Sequence, residues 1–166
     1  MITELPEQLL AQAEFLIRNS DSNEANVRRA VSTAYYALFH LLIRDSVANW
    51  KHDEDRARLA RTFDHRRMRD ASAAILKEIG RVETQTASVD DPESASRFRL
   101  STVAEAFLDL QQARHKADYD VAETFQAIDA ATNVSQARLT LITWNEVGDE
   151  PLAQRYLYSL LFKDKS

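Results

Sequence analysis

Cysteine is absent from the sequence, and with it go disulfides, zinc–thiolate sites, iron–sulfur clusters and thiol nucleophiles. Glycine occurs twice and proline three times. So few turn residues do not suit the many chain reversals of an all-β fold, and helices are the expected alternative. No apolar run approaches the roughly 18–20 residues of a membrane span, and the opening MITELPEQLL has neither the basic nor the apolar region of a signal peptide. The expectation is a cytoplasmic chain with no membrane contact. Glycine-rich phosphate loops, G-x-S-x-G turns and HExxH or DxDxDG spacings are also missing, and the histidines at positions 40, 52, 65 and 115 are scattered. No metal and no cofactor is therefore expected.

What remains is ordinary for a globular protein. The 166 residues are 45% hydrophobic and 28% charged, enough for one core without staples, and residues 1–166 read as a single domain. Lys and Arg number 21 against 26 Asp and Glu, a formal net charge of −5. That balance disfavours indiscriminate binding to polyanions but allows a local basic patch that meets phosphate.

Apolar periodicity predicts a first helix over 5–18, with Pro6 in its first turn and Leu9, Leu10, Ala13, Leu16 and Ile17 on one stripe. Asp21 followed by Glu24 resembles a capping box and predicts a second helix over about 22–48. Short helices are expected on each side of Asp64, the second ending at Gly80, and the polar stretch 81–91 reads as an exposed loop. Asp91-Pro92 starts a helix that should reach about Lys116. Asp120 with Glu123 repeats the capping-box spacing and predicts another helix running to about Val147, and Gly148-Asp149-Glu150-Pro151 precedes a last one over 152–162. The expected fold is all-α, an antiparallel bundle of about five to seven helices.

Within the second helix, the run from Arg28 to His40, RRAVSTAYYALFH, resembles the AYYAxFH-like signature helix of HEPN-domain proteins. The segment from Arg114 to Asp120, RHKADYD, resembles the R-x-x-A-D-Y segment that one HEPN branch carries before its last main helix. The resemblance covers the arrangement of residues 5–145 and leaves 150–166 as a C-terminal helix outside it. It implies a helical bundle that often dimerises, and in many members a metal-independent endoribonuclease of a toxin–antitoxin or antiviral system with a cognate partner protein. Other members have lost catalysis. In the catalytic members an Arg stabilises phosphate charge and a His four to six intervening residues later takes the proton of the 2′-hydroxyl. Here the positions at that distance from Arg114 are Tyr119, Asp120 and Val121, so the motif His is missing. Tyr119, with a reference pKa near 10, is a poor unassisted base at neutral pH.

The candidate catalytic residues are accordingly Arg114, His115, Tyr119 and a His40 brought across the bundle. Candidate RNA- or ligand-binding residues are Arg29, Tyr36, Arg44 and Asp118. Arg29, Thr33, Tyr36, His40 and Arg44 lie at helical spacing on one face. Two readings of that face stand: a cleft for RNA, or a polar seam whose tyrosine and histidine bond to neighbouring helices. For Ala117-Asp118-Tyr119-Asp120 the structural alternative is that the acids cap the following helix. Arg58 and His65 also show the motif spacing but precede its usual place, and the arginines around them read mainly as a solvated face. Three functions follow: an interaction module that dimerises and binds RNA or nucleotide with a degenerate catalytic motif, a metal-independent endoribonuclease, or a purely structural bundle.

Overall fold

A computed structural model describes residues 4–19, 23–85 and 92–162. The described residues form seven helices and no strand: α1 (Leu5–Arg18), α2 (Glu24–Val47), α3 (Asp53–Ala60), α4 (His65–Gln85), α5 (Pro92–Tyr119), α6 (Ala127–Val147) and α7 (Pro151–Leu161). None of these helices is long and apolar enough to cross a membrane.

The centre of the bundle is α2, which packs against α1, α3, α5, α6 and α7. It can do so because nearly every side chain from Ala30 to Val47 is buried, the pattern of a helix enclosed by others. Ala30, Ala34 and Ala37 let neighbours approach, and Val31, Leu38, Leu41 and Leu42 fill the space between them, all at 1% exposure or less. Against this stack α5 contributes Leu100, Val103, Phe107 and Leu110, and α6 contributes Ala137 and Trp144.

Side-chain pairs fix the helix directions. Arg44 of α2 reaches Glu7 of α1 (3.0 Å), while Asn26 reaches the Asn19 carbonyl just after α1 (3.1 Å), so α1 and α2 are antiparallel. Arg99–Glu146 and Lys116–Glu123 make α5 antiparallel to the α6 region. Tyr36 meets Arg114 and Arg28 meets the Ala117 carbonyl, which runs α5 against α2. Trp144 donates to Asp45 (2.7 Å) and Arg28 lies over the Phe125 ring, so α6 runs with α2. Thus α1 and α5 oppose α2 and α6.

Several expected boundaries move. The box at Asp21 lies outside the described residues, and α2 instead takes Asn23 as its N-cap, whose side chain accepts from the Asn26 N–H (3.3 Å). Gly80 does not end its helix: α4 continues through it to Gln85, and the rest of the expected loop, 86–91, lies outside the described residues, as does the Asp91 cap. The interruption expected at Ala117 is absent, since Ala117-Asp118-Tyr119 form the last turn of α5. Asp120 and Glu123 do not cap the next helix. Asp120 instead closes a turn by accepting from the Ala122 N–H (3.0 Å), and α6 starts only at Ala127 with a capping box made by Gln126 and Asp129. The acids were misassigned because the spacing of a capping box recurs in any polar loop, and the pair nearer the apolar run wins.

Candidate functional site

The two segments that carry the resemblance meet where α2 and α5 cross. Arg114, on the last third of α5, donates to the Tyr36 hydroxyl (3.0 Å) and pairs with Asp118 one turn later (2.8 Å). Its guanidinium carbon lies 5.9, 5.5 and 5.6 Å from the ring centres of Tyr35, Tyr36 and Tyr119. Three aromatic faces and a carboxylate thus surround one cation, and its side chain is only 14% exposed. Burial opposes its charge, but Tyr36, Asp118 and Tyr119 outweigh that and raise its pKa. Asp118 also accepts from the Ser32 hydroxyl (3.3 Å), so its role is to tie α5 to α2 and not to cap α6.

His65 joins this cluster from the first turn of α4. Its Nδ1 is 2.7 Å from the Tyr35 hydroxyl, its ring centre is 4.6 Å from that of Phe39, and its carbonyl accepts from Gln111 of α5 (2.7 Å). Burial raises the Tyr35 pKa strongly, so its phenol stays neutral with a proton to give. Burial first, and the Arg114 charge second, lower the pKa of His65, against a raising effect of Asp64. Phenol and imidazole share one hydrogen bond across this contact, whose direction depends on the His65 tautomer. Sequence spacing linked His65 to Arg58, yet Arg58 stays exposed on α3 and the arginine beside His65 is Arg114.

The other candidates are placed as follows. His40 is half-buried, its ring 6.2 Å from Tyr36 and 5.4 Å from Phe39, and burial followed by the proximity of His65 lowers its pKa. His115 is exposed and packs its ring 5.2 Å from Tyr119. Arg29 is exposed on α2. Arg44 lies elsewhere: eight residues beyond Tyr36, it is engaged by Asp45 (2.8 Å) and Glu7 (3.0 Å) at the start of α1. The polar face of α2 therefore divides, with Tyr36 and His40 at the α5 crossing and Arg44 serving the α1 contact.

Next to the cluster a groove of about 540 Å³ runs between α4 and α5, lined by His65, Arg66, Arg69, Gln111, Arg114 and His115 among others, none of them acidic. Two of these are basic side chains that sequence alone assigned to a solvated face, and their arrangement could not be seen until α4 was laid against α5. Both contact Asp70, Arg69 at 3.0 Å and Arg66 at 4.0 Å. Such exposed pairs are weak and exchangeable. Among the described residues no three His, Asp or Glu side chains converge to hold a metal ion.

Comparison of the chain with protein-family models, with curated proteins and with solved structures returns no match.

Proposed function

We propose that this chain is a HEPN-like protein that dimerises and binds RNA or a nucleotide through the α4–α5 groove, with cleavage lost. The observation that carries this reading is the basic, carboxylate-free lining of the groove. The Arg66 and Arg69 guanidiniums and the edge of Arg114 offer hydrogen to an anion, and the lining holds no carboxylate to repel one. Phosphate oxygens, acceptors only, are the complementary ligand. Loss of cleavage fits the same geometry: Arg114 is occupied by Tyr36 and Asp118, and no histidine stands where the resemblance calls for one. Dimerisation draws support from α6, where Ile128, Leu139 and Ile142 are 70%, 63% and 51% exposed, more apolar surface than a solvated helix needs.

The endoribonuclease reading keeps one specific observation in its favour. His65, with its pKa lowered by burial and by the nearby Arg114 charge, and His40, with its pKa lowered by burial and by His65, are neutral at pH 7 and so able to take a proton. One experiment separates the two: incubation of a single-stranded RNA panel with the protein in EDTA, with binding measured in parallel at low salt. Binding without cleavage supports the module. Cleavage to cyclic-phosphate or 3′-phosphate ends, abolished in Arg114→Ala and His65→Ala, would replace it with the enzyme, and absence of RNA binding at low salt would leave a structural bundle.

A further inference from the structure

A second groove, of about 460 Å³, lies between the C-terminal end of α2, the residues following it, and α7. Its size falls in the range of small-molecule sites, about 300–1,000 Å³. Trp50, Tyr158 and Phe162 line it, and each keeps a large share of its surface in water, 44%, 57% and 39%. The Tyr158 and Phe162 rings stand together with centres 4.9 Å apart. Leu157 and Leu161 complete the apolar part. No charged side chain among the described residues lines this groove, in contrast to the groove between α4 and α5.

The polar groups are few and neutral. Ser46 lines the groove while only 7% exposed, and its hydroxyl is buried with no hydrogen-bond partner among the described residues. A serine hydroxyl turns among staggered positions at little cost, so it is available to a ligand that enters. Gln154 gives its N–H to the Gly148 carbonyl (2.8 Å), which leaves the amide oxygen as an acceptor, and Asn49 adds a carboxamide with both donor and acceptor. Flat apolar walls, uncharged lining and a small set of amide and hydroxyl groups match a neutral planar ring with donors and acceptors on its edge. An aliphatic side chain would leave the Ser46 hydroxyl unanswered, and a phosphate or carboxylate would find no cation.

We propose that this groove binds an unpaired nucleobase, stacked on Trp50 or Tyr158 with its edge read by Ser46, Asn49 and Gln154. The base belongs to a free nucleoside or to a single-stranded RNA, and the inference stands independently of the α4–α5 groove. Calorimetric titration of the intact protein with adenosine, and separately with a five-residue oligoadenylate, tests it. Saturable binding of adenosine is expected, weakened about fivefold or more in Tyr158→Ala, since stacking of a base on an aromatic ring carries that much. Ser46→Ala should weaken it as well. Tighter binding of the oligonucleotide, also lost in Tyr158→Ala, assigns the base to a strand; equal binding assigns it to the free nucleoside. Tyr158 is exposed, so the fold is expected to tolerate its removal, with circular dichroism as the check. The proposal is overturned if neither probe binds, if binding is unchanged in both Tyr158→Ala and Trp50→Ala, or if Tyr158→Ala instead changes the mass in sedimentation, which would make the groove a contact between copies of the chain.

Discussion

Arg114 holds two helices together as much as it faces a groove. Its side chain spans from Asp118 on its own helix to Tyr36 on α2, and truncation would leave a carboxylate and a phenol in a partly buried place without their common partner. Unsatisfied groups of that kind cost about 1–3 kcal/mol, so Arg114→Ala should lower the urea midpoint accordingly. Arg114→Lys should recover little of it, because an ammonium lacks the planar guanidinium that sits beside three rings while it bonds Tyr36 and pairs with Asp118. The histidines set a pH dependence. His40 and His65 have folded pKa values lowered by burial, so below about 6.5, the ordinary value for histidine, the unfolded chain binds more protons than the folded one. Stability is therefore fully present above about pH 6.5 and is lost as pH falls toward the lowered folded values. Urea unfolding between pH 7.5 and 5.5 should show that decline, with a shallower slope in His65→Asn, and a flat profile would contradict the burial of these rings.

At the scale of elements, α1 was legible to the residue because Pro6 and Arg18 bracket a clean apolar stripe, and α2 was legible because nothing in residues 24–47 interrupts its run of helix formers. The elements misread were those judged by single polar or glycine residues. Gly80 reads as a stop, yet the face it occupies is open, with nothing within 4 Å of where a Cβ would sit. The neighbouring Ile79 and, three and four residues before Ile79, Leu76 and Ile75 pack inward and carry the helix past the glycine. Tertiary packing outweighs a local penalty of about 1 kcal/mol. The same numbers make a prediction: Gly80→Ala should stabilise the protein by about 0.5–1 kcal/mol, measurable as a rise in the denaturation midpoint. Gly148→Ala should do the reverse, because its Cβ would lie 2.9 Å from the Trp144 carbonyl oxygen and 3.1 Å from the indole. Equal responses at the two sites would mean that α4 does not extend through Gly80.

For the molecule as a whole, part of the candidate site could be read in advance and part could not. Arg114 and Asp118 lie four residues apart, a spacing that pairs them on a continuous helix, but the sequence alone equally allows Asp118 to cap the next helix. The partnership of Arg114 with Tyr36, 78 residues away, rests on α5 running against α2, and the approach of His65 rests on α4 lying beside α5; neither has a local signal. The basic groove is a product of that packing, since Arg66 and Arg69 sit among acids in the sequence and only in the fold do they share a lining with Arg114 and His115. With an overall charge of −5, the protein repels RNA at long range, so phosphate contacts should come from this groove alone and be few. Counterion release then predicts a shallow salt dependence: with about two or three phosphates neutralised on a single strand, the slope of log K against log salt should be about −1.4 to −2.1. Arg66→Ala/Arg69→Ala removes two exposed cations without touching the core and should flatten the slope by about 1.4. Fluorescence anisotropy of a labelled single-stranded RNA between 25 and 200 mM salt, at conditions where exposed charges are progressively screened, measures both slopes. An unchanged slope in the double variant would place the phosphate contacts on another face of the bundle, and a wild-type slope several times steeper would require a basic surface larger than any one groove of this monomer, one formed by two copies side by side.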